Sequence, residues 1–435
     1  MATSKRRKVP SRKAASSASS TVEDLLLAAL ERGDDSFETG RFLVTFKEGA
    51  TEAGLQALGA RGMRVADARD YKDQAATLET VGDADAVVFP EVGVALVGGG
   101  AARGRDMSVN AEIAADSPIE VIEPEYFVFS QDVNPGDYLR GFLRAAETIA
   151  KDLGAPVAVP REEEEAVLAL GATWGLIACR VPPSVRSGAG IRVAVLDTGM
   201  DLGHPDFAGR PIVSQTFVGQ PVQDLHSHGT HCIGTACGTK TPPGTVPRYG
   251  IAHRSSIFAG KVLSNSGSSV GGSVIAGMNW AIANRCQVIS MSLGGQSPVQ
   301  AAYTAAGQAA LNNGLLIIAA AGNAGSTTGA PANSPTIMSV ASLDMGLTPS
   351  SFSNFGKIEI AGPGRDVFSS VPRPTRYGTK SGTSMATPHV AGCAALWAET
   401  STTLRGMNLW RKLQATARPL PFPAARVGAG LVQAP

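Results

Sequence analysis

The feature that most restricts how this chain can fold is a series of short runs that are apolar at almost every position. Beyond about residue 173 they are "IRVAVLDTG", "SSIFAGKVL", "CQVISMSLGG", "LLIIAAAGN" and "TIMSVAS". A strand with one wet face alternates apolar and polar residues, whereas a strand apolar throughout must be covered on both faces. Between the runs lie "GSVIAGMNWAIAN" and "PVQAAYTAAGQAALNNG", whose length and periodicity are helical. Alternation of this kind predicts an α/β fold, a doubly wound and mostly parallel sheet with helices on both faces. Chemistry in such sheets gathers at the carboxyl ends of the strands.

Residues 37–130 read differently. "RFLVTFKEG" predicts a strand, "TEAGLQALGARG" a helix with a glycine exit, "DAVVFPEVGVALVGGG" an extended apolar run, and "IEVIEPEYFVFS" a closing strand. The order suits a small α+β unit, ferredoxin-like, of the split βαβ type. Its "GGGAARG" lacks the Lys-Ser/Thr ending of a phosphate-binding loop and reads as a plain loop. Residues 1–36 are expected to be a disordered basic tail followed by a short amphipathic helix around "LLLAAL". Residues 131–172 read as a linker carrying one helix, "YLRGFLRAAETIAKDLG", and the acidic "REEEEA". The α/β domain occupies 173–435.

A net charge of +1 offers no electrostatic footprint for nucleic acid, and no apolar run reaches membrane length. Neither nucleic acid nor membrane is therefore an expected partner, and the chain is expected to be a monomer. The basic start lacks the apolar core of an export signal, so a cytoplasmic location is favoured over secretion. The cysteines (Cys179, Cys232, Cys237, Cys286 and Cys393) are odd in number and sit in apolar surroundings. They read as reduced core thiols rather than a disulfide framework.

Four segments end strands or open helices with reactive side chains. Asp197 ends "VAVLD", His228 opens a helix in "HSHGTHC", Asn323 follows "LLIIAAAG", and Ser384 begins the helix of "SGTSMATPHVAG". Each alone has an ordinary job as turn former, cap or left-handed residue. Together they supply what acyl transfer needs: an orienting carboxylate, a base, an oxyanion donor and a nucleophile.

With "VAVLDTGMDLGHPDF", "HGTHCIGT", "SLGG", "AAAGNAG" and "GTSMATPHVAG" in this order, residues 173–435 resemble a subtilisin-like serine protease domain. The cysteine of "HGTHC" is more similar to the proteinase K branch. The resemblance implies a serine endopeptidase whose partner is a protein or peptide substrate, and in which Ser384 attacks, His228 carries the proton, Asp197 orients His228 and Asn323 holds the oxyanion. It implies that substrate lies extended between two edges, Gly267, Ser268 and Ser269 on one side and Ser292, Leu293 and Gly294 on the other. Ala320, Ala321 and Gly322 would wall the first specificity pocket. No cofactor is required; a structural calcium ion at Asp206 is the one metal the resemblance suggests, although the loop "GTKTPPGTVPRYG" lacks the usual calcium segment. Residues 37–130 resemble the inhibitory propeptide of the same family, which implies a self-inhibited precursor with its own propeptide as intramolecular inhibitor.

Two other readings compete. His226, His228 and His231 form H-x-H-x-x-H, the pattern of a metal-dependent hydrolase, with Thr230 where such a site holds an Asp. The other is a peptide-binding pseudoprotease; all four reactive residues being present argues against it.

Overall fold

The computed structural model describes residues 21–32, 36–71, 74–104, 116–130 and 171–435. The expected linker helix in "YLRGFLRAAETIAKDLG" lies outside the described residues.

The amino-terminal unit opens with α1 (Val22–Arg32). It continues through β1 (Glu38–Phe46), α2 (Thr51–Ala60), β2 (Val65–Asp67), β3 (Ala86–Phe89), β4 (Val94–Val97), α3 (Gly99–Arg103) and β5 (Ile119–Ser130). The strands run in the order β5-β1-β4-β3-β2, antiparallel except for β2 beside β3. One expectation is corrected: "GGGAARG" is not a plain loop, because Gly99–Arg103 forms a short helix. A side chain at Gly99 would put its Cβ 2.0 Å from the Gly40 carbonyl oxygen, so the glycines let this helix lie directly on β1.

The second unit contains α4 (Trp174–Ala178), β6 (Arg192–Asp197), β7 (Ile212–Thr216), α5 (His228–Cys237), β8 (Ser256–Lys261), β9 (Ser268–Val270) and α6 (Gly271–Ala283). There follow β10 (Val288–Met291), β11 (Leu293–Gly294), α7 (Ala301–Asn312), β12 (Leu316–Ala320), β13 (Met338–Leu343) and β14 (Ile360–Pro363). The chain ends with the hairpin β15 (Val367–Ser370) and β16 (Tyr377–Lys380), then α8 (Thr383–Thr400), α9 (Gly406–Thr416) and α10 (Ala424–Val427). Seven strands form one parallel sheet in the order β14-β13-β12-β10-β6-β8-β7.

Strand residues alternate between two cores, which is why the strand sequences are apolar throughout. Val193, Val195, Leu316 and Ile318 enter the core under α5 and α8. Ala194, Leu196, Ile317 and Ala319 enter the one under α6 and α7. The amino-terminal sheet extends that second core, adding Leu43, Val87, Phe89 and Leu96 against Val274, Met278 and Tyr303. Its other face packs Val44, Val88 and Ala95 on Leu58 of α2.

Two glutamates fix this docking. Glu123 accepts the amides of Ala301 and Ala302 at 3.0 and 2.8 Å, in the first turn of α7. Glu125 accepts the amide of Gly272 at 2.7 Å, in the first turn of α6. Each carboxylate satisfies donors that a helix start leaves without an internal partner. Burial pushes both carboxyls above the ordinary glutamate range.

Candidate active site

Asp197 is the last residue of β6, and His228 is the first of α5. The helix approaches the strand closely because Gly229 lies on the Gly199 carbonyl; a Cβ at Gly229 would sit 2.3 Å from that oxygen. The result is a bond of 2.7 Å between His228 Nδ1 and Asp197 Oδ1, both side chains being buried. Such a contact fixes which ring nitrogen carries the proton and leaves Nε2 to exchange one with a nucleophile.

A second carboxylate holds the segment in between. Asp224, fully buried, accepts the Thr198 hydroxyl, the amides of His226, Ser227 and Thr230, and the Thr230 hydroxyl, all at 2.7–2.9 Å. The Thr198 hydroxyl in turn accepts the amide of Gly229 at 2.8 Å. Thus the loop after Asp224, including left-handed Ser227 at φ 79°, is tied to the strand end that carries Asp197. Lys261 completes the layer. Its buried ammonium donates to the Thr198 carbonyl and to Asn265 Oδ1, and burial pulls its pKa down to about 8.

Ser384 lies in the first turn of α8, the element packed against α5. Its Oγ donates to the Ser292 carbonyl at 3.2 Å, and the Ser292 hydroxyl donates back to the Ser384 carbonyl at 2.8 Å. Cys232 bridges the two helices, its Sγ 3.9 Å from His228 Nδ1 and 3.6 Å from the Ser384 carbonyl oxygen. Burial pushes that thiol up, so it stays protonated and does not compete as nucleophile. Asn323 follows β12, and its Oδ1 accepts both the amide and the hydroxyl of Thr383 at 2.9 Å. With the oxygen so held, the Asn323 NH₂ is the group left to donate. Ala320, Ala321 and Gly322 form the end of that strand and its exit, and Gly322 donates its amide to the Thr383 hydroxyl at 3.1 Å.

The two edges named from the sequence carry a strand between them. Residues 127–130 of β5 pair antiparallel with β9, Phe129 opposite Ser268 and Phe127 opposite Val270. On the other side they pair antiparallel with β11, Ser130 opposite Leu293 and Phe129 opposite Gly294. The amide of Ser130 donates to the Gly267 carbonyl at 2.7 Å. Gly267 has φ 78°, and a Cβ there would lie 2.8 Å from Ser130 Oγ and from His226 Nε2. Only glycine suits that position.

Residues 188–430 match the profile of the Subtilase family. The chain belongs to that family. It is 38% identical over 241 residues to subtilisin NAT of Bacillus subtilis subsp. natto, covering 53% of this chain and 61% of the relative. Against thermitase of Thermoactinomyces vulgaris it is 41% identical over 222 residues, 49% of this chain and 77% of thermitase. The alkaline protease of Alkalihalobacillus alcalophilus matches over 343 residues at 34% identity, 75% of this chain and 85% of that protein. Among solved structures, a cold-adapted subtilisin-like serine proteinase superposes with a TM-score of 0.53 at 33% identity, covering 60% of this chain and 97% of the other.

Within this subtilase, two sequence readings take a different form in the structure. His226, His228 and His231 do not form a ligand set: His231 Nε2 is bonded to the Val367 carbonyl at 2.9 Å, and His228 Nδ1 is held by Asp197. Burial takes the His231 pKa down to about 3, so that ring is a neutral structural group. Among the described residues, the one cluster with metal-ligand spacing is Asp197, His228 and Cys232, inside the triad itself. At Asp206 the carboxylate is occupied by hydroxyl donors, Tyr249 at 2.5 Å and Tyr377 at 3.0 and 3.1 Å. No cluster of other carboxylates surrounds Asp206 among the described residues. Phenols that would face a cation with their protons therefore stand where calcium was expected. His204 belongs to the adjoining turn, its Nδ1 accepting the amide of Asp206 at 3.3 Å.

Thr383, Asp224 and Thr198 were missed from the sequence. Thr383 precedes Ser384 in "GTSMA" and Thr198 follows Asp197 in "DTG", so adjacency was the available signal. Asp224 had none beyond lying four residues before His228.

Proposed function

We propose that this subtilase is a serine endopeptidase made as a self-inhibited precursor. The observation that carries the reading is the His228–Asp197 bond of 2.7 Å, made from a helix that packs against the one carrying Ser384 in its first turn. In the reaction, the Ser384 hydroxyl leaves Ser292 and gives its proton to His228 Nε2 while Oγ forms a bond to the scissile carbonyl carbon. The carbonyl oxygen takes the negative charge and is met by the Asn323 NH₂ and the amide of Ser384 at the helix start. Collapse breaks the C–N bond as His228 returns the proton to the leaving amine. Water then repeats the sequence on the acyl-enzyme and frees Ser384.

The self-inhibition rests on a separate observation. Residues 127–130 occupy the strand position between β9 and β11, where an extended substrate would pair, and Glu123 and Glu125 anchor the unit that delivers them. An antiparallel strand held on both sides excludes a competing peptide. The five cysteines are free and buried, which fits a reducing compartment and supports a cytoplasmic role. Cys232 beside His228 supports a place nearer the proteinase K branch. Casein hydrolysis by the activated chain, lost in Ser384→Ala while the uncut variant stays folded, is the expected result. Undiminished hydrolysis by that variant would refute the assignment.

A further inference from the structure

We propose that α1 is a strap that locks residues 127–130 in the substrate cleft, and that displacing it is the activating event. The inference rests on the self-inhibition reading and adds its control. Helix α1 is encoded locally. Thr21 and Asp24 form a reciprocal cap, with Asp24 N to Thr21 Oγ1 and Thr21 N to Asp24 Oδ2 both at 3.2 Å. Val22, Leu25, Leu26 and Ala29 then fall on one face at helical spacing.

That face covers the inhibitory strand. Val22, Leu25 and Leu26 form a small core with Phe127 and Phe129 of β5 and Val270 of β9, and Ala29 and Phe37 pack on it. Val128, between the two phenylalanines, turns the other way into the core beneath α6 and α7. The strand is therefore sandwiched, one face on the catalytic unit and the other under α1. Phe37, just past the helix, accepts the amide of Phe127 at 3.0 Å and sets its ring edge-on to Phe129 at 6.4 Å. Because the same helix touches Val270 of the cleft edge as well as the two phenylalanines, the strand cannot lift out without exposing all three. With α1 displaced, the rings of Phe127 and Phe129 lose the cover of Val22, Leu25 and Leu26, and residues 127–130 are left with their backbone pairing, Val128 and the Phe37 contacts.

The test uses the full chain and two neighbouring substitutions. Leu26 is 2% exposed and lies in the contact, whereas Leu27 is 46% exposed on the far side. Leu26→Asp should shorten the delay before hydrolysis of a chromogenic peptide by about tenfold or more, the scale expected for placing a charge in a small apolar core. Leu27→Asp should leave the delay unchanged. A readout independent of turnover uses the Ser384→Ala background. There Leu26→Asp should speed hydrogen exchange at the Ser130 amide about tenfold or more while β6 and β10 stay protected. A delay and an exchange rate both unchanged by Leu26→Asp would overturn the strap alone. Immediate full activity of the unsubstituted chain would overturn the self-inhibition reading and the strap with it.

Discussion

Thr383→Val separates the positioning of Asn323 from its chemistry. The Thr383 hydroxyl is buried, donates to Asn323 Oδ1 at 2.9 Å and accepts the amide of Gly322 at 3.1 Å. Valine keeps the shape and removes the hydroxyl. Asn323 Oδ1 retains the Thr383 amide at 2.9 Å, so one of its two restraints survives. A neutral hydrogen bond contributes about 1 kcal/mol net, which corresponds to roughly a fivefold loss in kcat if it is spent on orienting the amide. The stranded Gly322 amide should cost about 1–3 kcal/mol of stability. Asn323→Ala removes the donor itself and should lower kcat by about 10²–10³, a magnitude carried over from a subtilisin relative. The decisive variant is the double one. Steady-state kcat and KM on a p-nitroanilide peptide, with urea unfolding alongside, should show Asn323→Ala/Thr383→Val matching Asn323→Ala in kcat, because nothing remains to position. An equal further loss from Thr383→Val in both backgrounds, or an effect on KM alone, would show that the Thr383 hydroxyl does not position Asn323.

Two other outcomes follow from the same geometry. Gly229→Ala would push a Cβ to 2.3 Å from the Gly199 carbonyl and 3.0 Å from Thr198 Oγ1. Backbone cannot yield cheaply, so a loss of about 1–3 kcal/mol in thermal unfolding, with lowered kcat from a displaced His228, is expected. Asp201, bound by Arg373 through bonds of 2.8 and 2.9 Å, has its pKa pulled down to about 2 by that guanidinium. A depressed carboxylate contributes stability above its unfolded pKa near 4 and loses it as pH falls towards 2, here about 1 kcal/mol once solvent screening at the half-exposed Arg373 is counted. Urea unfolding across that window should slope in the parent and flatten in Asp201→Asn.

The strand ends were legible from the sequence because parallel strands buried on both faces leave an unmistakable apolar signature, and reactive residues at their ends stand out against it. Asp197 and Asn323 stood out in that way at strand ends, and His228 and Ser384 at helix starts. What stayed hidden depends on contacts distant in sequence. The amphipathic pattern of α1 was readable, yet its partners Phe127, Phe129 and Val270 lie far along the chain. Tyr249 and Tyr377 reach Asp206 from two other segments, so the carboxylate read as a vacant ligand. At Gly99 a glycine-rich stretch signalled a loop, whereas close approach to Gly40 was its purpose.

An imidazole held by Asp197 activates one particular hydroxyl in the proposed reaction. Mass spectrometry after treating the activated chain with a fluorophosphonate reads this directly. A single adduct is expected, on the peptide containing Ser384, with its near disappearance in His228→Ala. Labelling that spares Ser384, or proceeds equally well without His228, would contradict it.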